Sequence, residues 1–117
     1  AFYHAADVLM HPTFYDPCSR VVLEALASGL PVVTTRYNGA AERIEDGRQG
    51  YVVDSPNDVD ALVDRLARLA DDGHRQESAE SAPAAIEGIS MRDHAKRALA
   101  LYWAVIASGH LKHGGYR

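Results

Sequence analysis

A single cysteine, Cys18, stands in 117 residues, so no disulfide can close within the chain, and the usage fits a reducing compartment. Long hydrophobic runs are absent: none approaches the roughly 20 residues of a membrane span, and no signal-peptide pattern opens the chain. Positive charge is scarce. Twelve Lys and Arg against sixteen Asp and Glu leave a net charge of −4, which offers no basic field to nucleic acid or to an anionic membrane face. An initiating Met is missing as well; the opening AFYHAAD reads as the tail of a helix and predicts a piece of a longer protein.

What is present is ordinary for one globular domain at most: 47% hydrophobic and 24% charged residues. DVLMHP (7–12), PVVTT (31–35) and YVVD (51–54) are short apolar runs that predict buried strands. Between the first two, a helix is predicted over 20–28, stopped by Gly29 and Pro31. RYNGAAERI begins as a glycine-bearing loop and becomes a short helix ending near EDG. From Pro56 the period changes: Val59, Leu62, Val63, Leu66, Leu69 and Ala70 fall on one helical stripe, and Ser55, Pro56 and Asp58 suit its start. DDGHRQESAESAPAAIEG is polar, alanine-rich and interrupted by Pro83, which predicts a frayed helix or loop. Ser90-x-x-Asp93 resembles a capping box opening a last helix through about Ile106, and 108–117 is expected to be a flexible tail.

Apolar strands alternating with helices predict an α/β fold: a Rossmann-like parallel sheet with flanking helices. In such sheets ligands bind beyond the carboxyl ends of strands, at helix N-termini. Asp16 to Arg20 lies at such a place, and the helix RVVLEALA that follows carries Glu24 in its middle. A helix starting near Ser19 offers N–H groups at Ser19, Arg20 and Val21 as a diphosphate cradle. Glu24 lies about 6 Å further along the axis, where a carboxylate can accept two ribose hydroxyls. Both acids also have a plainer reading. Asp16 can be an N-cap with Pro17 at the first helical position, and Glu24 can pair with Arg20 at i,i+4.

HPTFYDPCSRVVLEALASGLPVVTTRYNGAAERI resembles the donor-binding stretch of group 1 (family 4) glycosyltransferases, retaining enzymes of the GT-B fold whose signature is two glutamates separated by seven residues. The resemblance runs on through ALASGLPVV, NGAAE, DGRQGYVV, the helix from Asp58 and a last helix containing Tyr102, so it covers nearly the whole chain. Its nearest flavour is the lipopolysaccharide-core glucosyltransferase type. It implies the C-terminal half of a GT-B donor domain, in a protein that transfers a hexose from a nucleotide-diphosphate sugar, a UDP-sugar first, to a glycan or glycolipid. No cofactor and no metal are implied. By the same resemblance Glu24 holds the ribose, Asp16 touches the transferred sugar near the reacting carbon, and the backbone at Ser19, Arg20 and Val21 holds the diphosphate. Asn38, Gly39 and Glu42 match a loop facing the donor, with Gly39 allowing close backbone approach.

Four departures stand against the pattern. Asp16 is one methylene short of glutamate, Ser19 replaces a glycine, Cys18 an aromatic and Arg20 an apolar residue. They keep open a non-catalytic nucleotide-sugar-binding or assembly module; a sugar-nucleotide epimerase of the same architecture is a third option. An Arg and Lys pair upstream would mark transfer. The resemblance further implies an N-terminal domain that reads the acceptor, work on the cytoplasmic side with peripheral contact at the inner membrane face, and a short chain that is inactive alone. Such a chain is expected to self-associate through the sheet edge near 7–12. Other constellations carry less. Asp58-x-Asp60 imitates a metal-binding motif at a helix start, where acids favour the dipole. Cys18 near His11 and Asp16 suggests a thiol nucleophile but reads rather as a small buried hydrophobe. His110 and His113 lie in a glycine-rich basic tail, and Tyr102 and Trp103 are expected to pack.

Overall fold

Val32, Val33, Thr34 and Thr35 are all buried, which is why this run forms the central strand of a sheet covered on both faces. In the computed structural model, which describes residues 2–108, β1 (Leu9–His11), β2 (Val32–Thr35) and β3 (Gly50–Val53) lie side by side in that order, all parallel. Leu9 pairs with Val32, and Val32 with Gly50. β1 is shorter than the predicted 7–12 because, among the described residues, only β2 pairs with it.

Side chains alternate across a strand, and β2 feeds two cores. Val32 faces α1 (Arg20–Ala27), whose Val22, Ala25 and Leu26 are fully buried together with Leu30, Ala40, Ile44 and Ala82. Val33 faces the other way and joins Tyr51, Val53, Leu62 and Leu69, the last two from α2 (Val59–Leu69). Burial of a side chain such as Leu26 contributes about 1.5–3 kcal/mol. The α2 stripe is narrower than predicted: Val59 and Val63 are exposed, since one sheet face can cover only part of the helix. Gly50 begins β3 at φ +145°, and a Cβ there would lie 1.9 Å from the Val32 carbonyl oxygen, so only glycine lets β3 pair so closely.

The stretch expected to be frayed is a regular helix, α3 (Asp72–Ser81), followed by a 3-10 turn at Ala82–Ile86. It lacks an apolar stripe, but Asp71 caps it by accepting from His74 N at 2.8 Å, and Arg75 pairs with Asp72. Small Ser78 is its buried residue, and the helix is tied to the rest of this unit by Tyr51 Oη to His74 Nε2 at 2.8 Å and by Ser81 Oγ donating to Arg48 O at 2.7 Å. The short helix expected within RYNGAAERI, ending near EDG, is a 3-10 turn, Gly39–Arg43, capped by Asn38.

The described residues divide into two compact units, with the break between Ile86 and Glu87. The second holds α4 (Met91–Ala107), whose cap Ser90 accepts from Asp93 N at 3.1 Å, as the sequence predicts. Tyr102 and Trp103 are exposed, against the expectation that they pack. The tail expected at 108–117 lies, from residue 109 on, outside the described residues, and His110 and His113 with it. No helix among the described residues is long and apolar enough to cross a membrane.

Candidate functional site

β1 and β2 run parallel, so the loops leaving their carboxyl ends start side by side, and side chains of β2 fasten them. Thr34 Oγ1 donates to His11 O at 2.8 Å and Thr35 Oγ1 to Thr13 O at 2.6 Å. Further out, Asp16 N donates to Tyr37 O at 3.1 Å and Gly39 N to Asp16 O at 2.8 Å, a bridge between the two loops. The contact is so close that a Cβ on Gly39 would lie 1.9 Å from Pro17 O. Glycine at 39 thus has an intramolecular cause.

Asn38 is the hub between the loops. Almost completely buried, it accepts through Oδ1 from Ser19 N at 3.4 Å and Ala40 N at 3.0 Å, and donates through Nδ2 to Thr34 Oγ1 at 3.0 Å. Sequence reading reached Asn38 only as a loop residue, because its three partners come from three segments. Asn38→Ala would strand these buried groups. A loss of about 2–4 kcal/mol in unfolding free energy is expected, measured from the denaturant midpoint.

The hub changes the predicted cradle. The Ser19 N–H is committed to Asn38, so it is not available to a ligand. Ser19 itself is the N-cap of α1, its Oγ accepting from Val22 N at 3.4 Å. The N–H groups of Arg20 and Val21 have no hydrogen-bond partner among the described residues. Two donors, not three, therefore point from the helix start.

Asp16 is not the cap, and Pro17 lies before the helix rather than in it. Asp16 Oδ1 accepts from Cys18 N at 3.2 Å, which closes a local Asx turn. Its Oδ2 lies 3.4 Å from His11 Nε2, at the end of β1, and both side chains are about a third exposed. The structure thus brings Asp16 and the start of α1 to one end of the sheet. Cys18 is exposed, which overturns the buried-hydrophobe expectation; the Pro17–Cys18 turn projects it outward.

Glu24 is half exposed on the outer face of α1, because Val22, Ala25 and Leu26 take the inner one. The i,i+4 contact with Arg20 is present but long, at 3.5 Å to Oε1. Its shorter partner is Tyr3, whose hydroxyl donates to Oε2 at 3.0 Å. No pattern in the sequence pointed to Tyr3. Partial desolvation, then the hydrogen bond to Glu24 and its charge, raise the Tyr3 hydroxyl above the usual phenol range. Asp58 caps α2 by accepting from Ala61 N at 2.9 Å, with Asp60 in the first turn, so both acids serve the helix start. No group of three metal-ligating side chains occurs among the described residues.

Comparison with known proteins gives a consistent result. The family profile of the Glycosyl transferases group 1 matches residues 1–72. A D-inositol 3-phosphate glycosyltransferase of Corynebacterium urealyticum is 38% identical over 103 residues, covering 87% of this chain and 24% of that protein. The chain therefore spans about a quarter of that relative's length. Sucrose-phosphate synthase from Thermosynechococcus elongatus superposes with a TM-score of 0.81 at 27% identity, over 92% of this chain and 27% of that one. Anabaena Alr3699/HepE, solved in complex with UDP and glucose, gives a TM-score of 0.63 at 26% identity, over 74% of this chain and 24% of that one. The parallel sheet with its flanking helices is thus part of a GT-B fold.

Proposed function

The chain belongs to the group 1 glycosyl transferases, and from that premise we propose that its full-length protein transfers a hexose from a UDP-sugar to a glycan or glycolipid acceptor, with retention of configuration. The observation that carries this reading is one short stretch, Asp16 to Glu24, at the carboxyl end of the sheet. Two unpartnered N–H groups at Arg20 and Val21 sit at the positive end of α1, where a diphosphate is favoured. Glu24 follows one turn later at the surface, placed for the ribose. Asp16, about a third exposed beside His11, is placed for the hydroxyls of the transferred sugar. By the family resemblance Gly39 lies in the loop facing the donor, and Ser19 contributes by capping rather than by its own N–H.

In this reading the bond between the anomeric carbon and the diphosphate oxygen breaks as one forms from an acceptor hydroxyl oxygen, whose proton passes to the departing diphosphate, and negative charge grows on the leaving group. The N–H pair stabilises that charge without reorganising. Basic residues and the acceptor-reading domain belong to the remainder of the protein. The uracil base is supported by the UDP in the Anabaena structure.

The test is a screen of nucleotide sugars against the full-length protein, followed by variants. Glu24→Ala should weaken binding of the active donor by about 1.5–3 kcal/mol, the range for hydrogen bonds to a charged group, and Glu24→Gln by less. Wild-type donor affinity in both variants would leave Glu24 as a surface partner of Tyr3 and Arg20 only.

A further inference from the structure

Tyr3 and Glu24 are 21 positions apart, yet they form the shortest side-chain contact Glu24 has. Tyr3 is half buried and its ring packs on the core cluster around Val22 and Leu26, so its hydroxyl is delivered from a fixed base. Arg20, with a side chain 87% exposed and a 3.5 Å contact, gives a looser hold on the other oxygen. A phenol is a neutral O–H donor at neutral pH, and the Tyr3 hydroxyl donates to Oε2 at 3.0 Å.

An ionised carboxylate has about four acceptor sites, two on each oxygen. Tyr3 takes one on Oε2 and Arg20 one on Oε1, which leaves one on each. A ribose presents two adjacent O–H donors, one for each remaining site. We propose that Tyr3 is a positioning residue: by holding Oε2 it turns the Glu24 carboxylate so that its remaining acceptor sites meet the two ribose hydroxyls of a nucleoside diphosphate. The inference rests on the ribose role proposed for Glu24.

The test titrates UDP and 2′-deoxy-UDP into the full-length protein by calorimetry, in wild type, Tyr3→Phe, Glu24→Ala and the double variant. Wild type should prefer UDP. Tyr3→Phe keeps the ring and its packing; UDP should bind about threefold to tenfold more weakly, the worth of one hydrogen bond, and 2′-deoxy-UDP should lose less. The preference narrows. In Glu24→Ala the preference should collapse, and adding Tyr3→Phe should change it no further. Both nucleotides are measured on the same folded fraction, so any loss of folded protein cancels from their ratio. An unchanged ratio in Tyr3→Phe, beside a collapsed one in Glu24→Ala, makes Tyr3 a mere tether of the 3-10 turn at Tyr3–Ala5 and overturns the positioning role alone. Full preference retained in Glu24→Ala, or no UDP binding by wild type, removes the ribose reading and the inference together.

Discussion

Gly39→Ala is expected to destabilise the protein by about 3 kcal/mol and to reduce UDP binding beyond the loss of folded protein. The added Cβ would lie 1.9 Å from Pro17 O and 2.8 Å from Pro17 C, both backbone atoms that no rotamer change can move. Overpacking of this kind costs about 1–3 kcal/mol, and more where the backbone must shift. The segment that would have to yield runs from Asp16 to Ser19, so the damage falls on the turn that leads into α1. Gly39 N donates to Asp16 O at 2.8 Å, and pushing the loops apart breaks that bond as well. Gly73→Ala serves as the control, because its Cβ would meet only the Asp71 carboxylate at 3.4 Å, in the first turn of α3. The denaturant midpoints and calorimetric UDP affinities of the two variants decide the matter. A Gly39→Ala protein with wild-type values in both would mean that the two loops can separate freely, and that their bridge does not shape the site.

What the sequence made legible, and what it did not, follows from the range of the interactions. VVTT could be read as a buried strand because β-branched residues on both faces leave no side for water. The start of α1 was legible for a similarly local reason: Ser19 and the stop at Gly29, at φ +75°, both act within a few residues of the helix. α3 was not legible as regular helix, because it is held by a cap, an ion pair and hydrogen bonds to Tyr51 and Arg48 rather than by a stripe. Two features of the site depend on tertiary pairing alone. Asn38 takes the Ser19 N–H from 19 positions away, and Tyr3 reaches Glu24 across 21. No spacing rule covers such distances, so the local pattern overstated the number of available N–H donors and missed the tyrosine. The glutamate in the middle of RVVLEALA shows the same limit. The helix buries Val22, Ala25 and Leu26, and Glu24 falls on the opposite side, where it keeps water and two partners.

Asp16→Asn is expected to lower kcat on the order of 100-fold while leaving the affinity for free UDP nearly unchanged. The substitution is selective because of how Asp16 is held. Its Oδ1 accepts from Cys18 N at 3.2 Å, and the Asn side-chain oxygen can keep that bond, so the Asx turn survives. The other oxygen lies 3.4 Å from His11 Nε2, and an amide nitrogen there can donate to a neutral imidazole. The local structure therefore tolerates Asn, and what disappears is the negative charge. If that charge faces the transferred sugar, its contribution is larger in the transition state than with substrate bound, so kcat falls and not merely binding. UDP lacks the sugar and should not register the change. Were Asp16 only a turn-former, Asn would replace it well, since both residues close such turns. Near-normal turnover in Asp16→Asn, measured on the full-length enzyme with its active donor, would assign Asp16 to the loop. The sugar contact would then belong to another residue.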